Sequence, residues 1–154
     1  MATRAAIDDF LGCRRLAIVG ISRQDKDFSR AVFRAFTGRG YEAVPVNPAG
    51  GEVDGLRCVP RIADVQPPVE AALLLTPSKA TKDVVRECAE AGVRRIWLHR
   101  GGGPGAVSDE AVALCRDRGL EVVDGACPFM FLPDTGFPHR VHRFFVRLAG
   151  RLPH

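Results

Sequence analysis

The residues best suited to chemistry lie just after the apolar run Arg15-Leu16-Ala17-Ile18-Val19, where Gly20-Ile21-Ser22 opens a polar stretch that includes Arg23, Lys26, Ser29 and Arg30. A short strand that ends in Gly-x-Ser and feeds a capped helix offers backbone N–H groups to a phosphate. Gly20 lets the main chain approach an anion, and Ser22 adds a hydroxyl and an N–H. Ser29 is the expected N-cap of the following helix. Arg30 then falls in the first turn, where a cation opposes the helix dipole and a bound phosphate would remove the penalty. A dinucleotide fingerprint would continue with glycines at 22 and 25, but the chain has Ser22 and Asp25. Taken alone, Gly-x-Ser is equally a plain strand-to-helix turn.

Two further strand ends repeat this chemistry. Val46-Asn47-Pro48 stands where a NAD domain carries a carboxylate for the ribose diol. An amide followed by a rigid ring cannot replace that carboxylate. Pro48 can pack on an adenine and Asn47 can hydrogen-bond beside it, although Asn-Pro by itself is an ordinary turn. Thr76-Pro77-Ser78-Lys79 gives a stiff turn and then a helix start with hydroxyls and a cation at hand. The fifth strand ends in Gly125-Ala126-Cys127-Pro128. Cys127 with His139 or His142 would make a thiol hydrolase, but no acidic residue is evident to orient the base, and a strand-end Cys-Pro is an ordinary structural feature.

These loops need a scaffold, and the sequence supplies alternating short strands and helices. Strands are predicted at about 15–20, 42–46, 70–75, 94–98 and 120–123, each apolar and bounded by Gly, Pro or charged residues. Helices are predicted at 4–11, 29–38, 78–91 and 108–118. Ser29, Ser78 and Ser108 are their expected N-caps, and Gly38, Gly92 and Gly119 their stops. This alternation predicts an α/β, Rossmann-like open sheet, mainly parallel and five-stranded, with helices on both faces. In such a sheet ligands bind beyond the carboxyl ends of the strands, where the order reverses.

With 154 residues and 46% hydrophobic content, the expectation is one domain, with a core over about 13–130 and an extension over 131–154. No signal peptide or membrane span is visible, which predicts a cytoplasmic protein. Cys13, Cys58, Cys88, Cys115 and Cys127 form no Cys-x-x-Cys pair, so neither a disulfide framework nor a zinc site is expected. The net charge of +4 comes entirely from Arg140, Arg143, Arg147 and Arg151. Beside them, Val141, Phe144, Phe145 and Leu148 mark one apolar stripe of a basic amphipathic C-terminal helix. That helix is expected to dock on the domain with its basic side solvated. A protein partner is the alternative use for it, and nucleic acid is not expected.

Taken in order, Ala17-Ile18-Val19-Gly20-Ile21-Ser22, Ser29-Arg30, Gly40-Tyr41-Glu42-Ala43-Val44-Pro45-Val46-Asn47-Pro48, Gly55-Leu56-Arg57-Cys58-Val59-Pro60 and Ile96-Trp97-Leu98 resemble the small CoA-binding proteins. That family has a Rossmann-like fold similar to the CoA-binding domain of the succinyl-CoA synthetase alpha subunit. The resemblance covers about residues 13–130 and implies coenzyme A or an acyl-CoA as ligand. CoA suits these loops, because it needs an apolar clamp, cations and a helix start rather than a carboxylate. The implied contacts are Gly20, Ile21, Ser22, Arg23, Lys26, Ser29 and Arg30, then Asn47, Pro48, Thr76, Pro77 and Ser78. Gly125-Ala126-Cys127-Pro128 resembles the synthetase turn beside the CoA thiol, with Ala126 in place of its Asn, which adds Cys127. A non-catalytic CoA-binding module is the expected function, and a CoA- or nucleotide-dependent enzyme or enzyme subunit acting with a partner is the alternative. His99-Arg100-Gly101-Gly102-Gly103-Pro104-Gly105 departs from the family pattern after the fourth strand.

Overall fold

The computed structural model describes residues 2–100 and 105–132, which build a five-stranded parallel sheet with helices on both faces. The expected basic helix and most of the 101–105 glycine segment lie outside the described residues. The chain runs α1 (Arg4–Leu11), β1 (Arg15–Val19), α2 (Phe28–Thr37) and β2 (Glu42–Val46). A small hairpin of β3 (Glu52–Val53) and β4 (Leu56–Arg57) follows, and then a 3-10 turn at Ile62–Asp64. The second half is β5 (Ala71–Leu74), α3 (Ser78–Glu90), β6 (Arg95–His99), α4 (Asp109–Asp117) and β7 (Glu121–Ala126), closed by a 3-10 turn at Pro128–Met130.

The strand order is β2-β1-β5-β6-β7, so the chain leaves β1 toward one edge and returns at β5 on its other side. This reversal makes the crevice beyond the carboxyl ends of β1 and β5 the natural ligand position. The central strands β1, β5 and β6 are mainly apolar because both faces are covered. Leu16, Ile18, Leu73 and Trp97 point into a core shared with Ile7 and Phe10 of α1 and Val32, Phe33 and Phe36 of α2. Ala17, Val19, Leu74, Ile96 and Leu98 point the other way, onto Val85 and Cys88 of α3 and Ala111 and Cys115 of α4. Trp97 anchors the first core, edge-on to Phe10 at 5.3 Å and donating its indole N–H to the Ala126 carbonyl.

Two helix starts differ from the sequence expectation. Asp27, not Ser29, caps α2, because its carboxylate is placed to accept from the Ser29 N–H at 2.8 Å. Pro77, not Ser78, is the N-cap of α3, and it makes no side-chain capping hydrogen bond. Ser108 caps α4 as expected, accepting from the Ala111 N–H.

Candidate functional site

The loops after β1, β2 and β5 meet at the carboxyl edge of the sheet. Gly20 has φ of +89°, and a Cβ there would lie 3.0 Å from the Leu75 carbonyl carbon and 3.1 Å from the Thr76 nitrogen. Only glycine combines that backbone angle with such an approach, so Gly20 locks the β1 loop against the β5 loop. Asn47 ties in the third loop. Its side-chain amide donates to the Ile21 carbonyl at 2.8 Å and its oxygen accepts from the Ala49 N–H at 2.8 Å. Both ends of Asn47 are therefore engaged in loop structure, while Pro48 beside it is exposed. Thr76 is buried and shares a 3.0 Å hydrogen bond with the Thr81 hydroxyl, which fixes the turn into α3. Pro77 is exposed and Ser78 half-buried at that turn.

The segment after β1 is closed by its own polar groups. The Ser22 N–H donates to the Ser29 hydroxyl oxygen at 2.8 Å, and that hydroxyl donates to the Asp27 carboxylate at 2.6 Å. The hydroxyl and the Ser29 N–H together hold the Asp27 carboxyl below its usual range. A carboxylate thus stands at the start of α2, where the sequence suggested a phosphate. The start of α3, with no side-chain cap and Lys79 exposed in its first turn, carries no such group.

Arg30 is the largest departure from expectation. Its side chain is 6% exposed, and its guanidinium donates to Asp54 at 2.6 Å and to the Arg23 carbonyl at 3.1 Å. Asp54 sits at the tip of the β3–β4 hairpin with φ of +48° and takes a second, two-pronged contact from Arg34 at 2.9 Å on each oxygen. Asp25 joins this network through Arg34. Arg34 and Arg30 hold the Asp54 carboxyl down at about 2, so it is fully charged at neutral pH. The first-turn cation is therefore compensated by a hairpin carboxylate of the chain itself. Arg23 and Lys26 are exposed, and the Arg23 side chain lies across Gly51. No described residue pairs with either cation.

At the other end of the crevice, Cys127 is half-buried, and burial pushes its thiol pKa up. His99 closes β6 on the same edge. Its register slips so that it stands opposite Ala126, with Gly125 left over in β7 as a bulge. Phe28, 46% exposed at the start of α2, lies 5.1 Å from the His99 ring and 5.7 Å from the Phe129 ring. The sequence singled out neither Phe28 nor Asp54. An aromatic residue at a helix start beside a phosphate-type loop was the available signal for Phe28, whereas the pairing of Asp54 spans 24 positions and had none. Among the described residues no group of three metal-ligating side chains occurs, and no helix is long and apolar enough to cross a membrane.

Comparison with known proteins places this edge in context. A curated protein of Bacillus subtilis (strain 168), the uncharacterized protein YneT, is 27% identical over 114 residues, which is 74% of this chain and 82% of that one. The alpha subunit of an ADP-forming acetate–CoA ligase II from Pyrococcus furiosus is 28% identical over 93 residues. That match takes in 60% of this chain but only 20% of the ligase subunit. A solved structure of a conserved hypothetical protein from Pyrococcus furiosus superimposes with a TM-score of 0.68 at 29% identity, covering 75% of this chain and 96% of that one. The family model of the CoA binding domain matches residues 14–133, from the start of β1 past the turn at Phe129, and the chain belongs to that family.

Proposed function

We propose that the chain binds coenzyme A or an acyl-CoA across the carboxyl edge of β1 and β5, and does so as a binding module rather than as a catalyst. The observation that carries this reading is the Gly20 contact, which brings the β1 and β5 loops together at the strand-order reversal, in a chain without the carboxylate a NAD site needs at the end of β2. Asn47 stands at that position with both polar ends engaged. Exposed Pro48 suits the adenine face, and Arg23, Lys26 and Lys79 suit the phosphates. Because Asp27 fills the start of α2, the pyrophosphate fits better against the uncapped start of α3, by Thr76, Pro77 and Ser78. Gly20, Ile21 and Ser22 then form the floor, Ser29 and Arg30 brace the loop from behind, and Cys127 lies toward the thiol end. A cytoplasmic location is part of this reading.

Cys127 supports binding over thiol catalysis, since its raised pKa leaves little thiolate. The second reading, a CoA-dependent enzyme subunit that works with a partner, rests on the similarity to the ligase alpha subunit. Thermal shift separates the ligand classes: CoA at about 100 times its Kd adds about 2.7 kcal/mol. That raises Tm by about 5–10 °C in a chain of this size. NAD or NADP at the same concentration is expected to give no comparable rise. Stabilisation by NAD equal to that by CoA overturns the assignment, and thioester turnover by the purified chain favours the enzyme.

A further inference from the structure

His99 carries a polar atom that no described residue bonds. Its Nε2 is buried and has no hydrogen-bond partner among the described residues, although the ring sits at the carboxyl edge where the ligand would lie. Burial lowers the imidazole pKa, so the ring is neutral at pH 7 and can present a single N–H. Trp97 points into the core beneath α1 and α2, and His99, two residues on, lies on the same face. The contact with Phe28 at the head of α2 agrees with this. Phe28 packs on both the imidazole and the Phe129 ring, and it is one of only two large apolar side chains left exposed among the described residues. A buried polar atom without a partner destabilises the free protein, and that cost is recovered when a ligand supplies the partner.

The direction of the ligand follows from the cations. Arg23 lies across Gly51 on the β2 side of β1, so the adenine end with its 3′-phosphate belongs there, the pyrophosphate follows at the start of α3 beyond β5, and the neutral arm of CoA continues in that direction. Strands are spaced about 4.8 Å apart, so β6 stands about 10 Å from β1 in that direction. The arm therefore leads toward the Phe28, His99 and Phe129 rings.

Resting on the CoA reading, we propose that the Phe28, His99 and Phe129 rings form one wall of an acyl pocket in which the His99 Nε2–H donates to the carbonyl oxygen of a short acyl thioester. Free CoA ends in a thiol, a weak acceptor that leaves Nε2 poorly satisfied. The site therefore prefers the acyl thioester.

Isothermal titration of the full chain with CoA and acetyl-CoA tests this. Acetyl-CoA is expected to bind about tenfold tighter than CoA. His99→Phe keeps an aromatic ring but removes the donor, so it is expected to bring acetyl-CoA down to the CoA affinity while leaving CoA within about twofold. His99→Gln restores an N–H and is expected to recover part of the preference. A wild-type preference below about twofold overturns the acyl pocket and leaves the CoA reading standing, as does a full preference retained in His99→Phe. If neither ligand binds, the CoA reading fails and the pocket with it. Should His99→Phe not fold, the wild-type ratio and His99→Gln still decide.

Discussion

Replacing Arg30 with alanine separates its two possible roles. If the guanidinium braces the hairpin, the loss appears in the free protein; if it awaits a phosphate, the loss appears only in ligand affinity. The structure supports the first role. The substitution removes a charge-assisted bond to Asp54 at 2.6 Å and a second bond to the Arg23 carbonyl at 3.1 Å. Hydrogen bonds to charged groups contribute about 1.5–3 kcal/mol each. Three effects reduce the sum: Asp54 keeps its two contacts with Arg34, the Arg23 carbonyl lies in an exposed segment that water can reach, and the Arg30 Nε is itself buried without a partner. A net loss of about 2–3 kcal/mol remains, which lowers Tm by about 5–10 °C in a chain of this length.

Urea and thermal denaturation of Arg30→Ala measure this directly, and CoA titration on the same protein measures the other role. Asp54→Ala is expected to cost at least as much, since it strands a buried guanidinium, and the double variant should lose less than the sum of the two. A Tm within about 2 °C of wild type together with a tenfold loss of CoA affinity would refute the brace and return Arg30 to the phosphate.

Acid should release the same network. The Asp54 carboxyl is held at about 2 in the fold, below its ordinary value, so its contribution is complete above about pH 4 and is lost as pH falls from about 4 to about 2. Asp54→Asn is expected to flatten the stability–pH curve in that window, and an unchanged slope in urea titrations from pH 2 to 5 would count against the pairing. Gly20→Ala and Gly125→Ala form a matched pair for the crevice. Both residues have positive φ, +89° and +80°, but only at Gly20 would the new Cβ meet backbone. Gly125→Ala is expected to cost about 1–2 kcal/mol for conformation alone. Gly20→Ala should cost visibly more and should weaken CoA binding as the β1 and β5 loops are pushed apart; equal costs by denaturation would mean that the approach of the loops is not a constraint.

The sequence made the sheet legible because its strands are buried on both sides. The runs at 42–46 and 94–98 are apolar enough to stand out, and the Gly and Ser residues around the helices mark their ends to within a residue or two. Both helix-start errors arise where two capping residues compete. At Asp27-Phe28-Ser29 the carboxylate wins because it accepts from the serine N–H and hydroxyl together. At Pro77-Ser78 the ring that fixes φ sets the boundary one residue earlier. The two-residue strands of the hairpin are too short to show a period of two, so they were visible only as a turn. That hairpin is what changes the meaning of Arg30. A charge in a first helical turn looks free to local inspection, yet its partner is a carboxylate at a left-handed tip 24 residues away. The converse holds for His99, whose surroundings in sequence suggested a flexible glycine loop. Folding instead sets its ring against Phe28, 71 residues before it, which packs in turn on Phe129, and leaves one nitrogen without a partner among the described residues. Local patterns thus pointed to the carboxyl edge, while long-range pairing decides how its polar groups are engaged: the two terminal nitrogens of Arg30 are held by Asp54 and the Arg23 carbonyl, whereas the His99 Nε2 has no such partner.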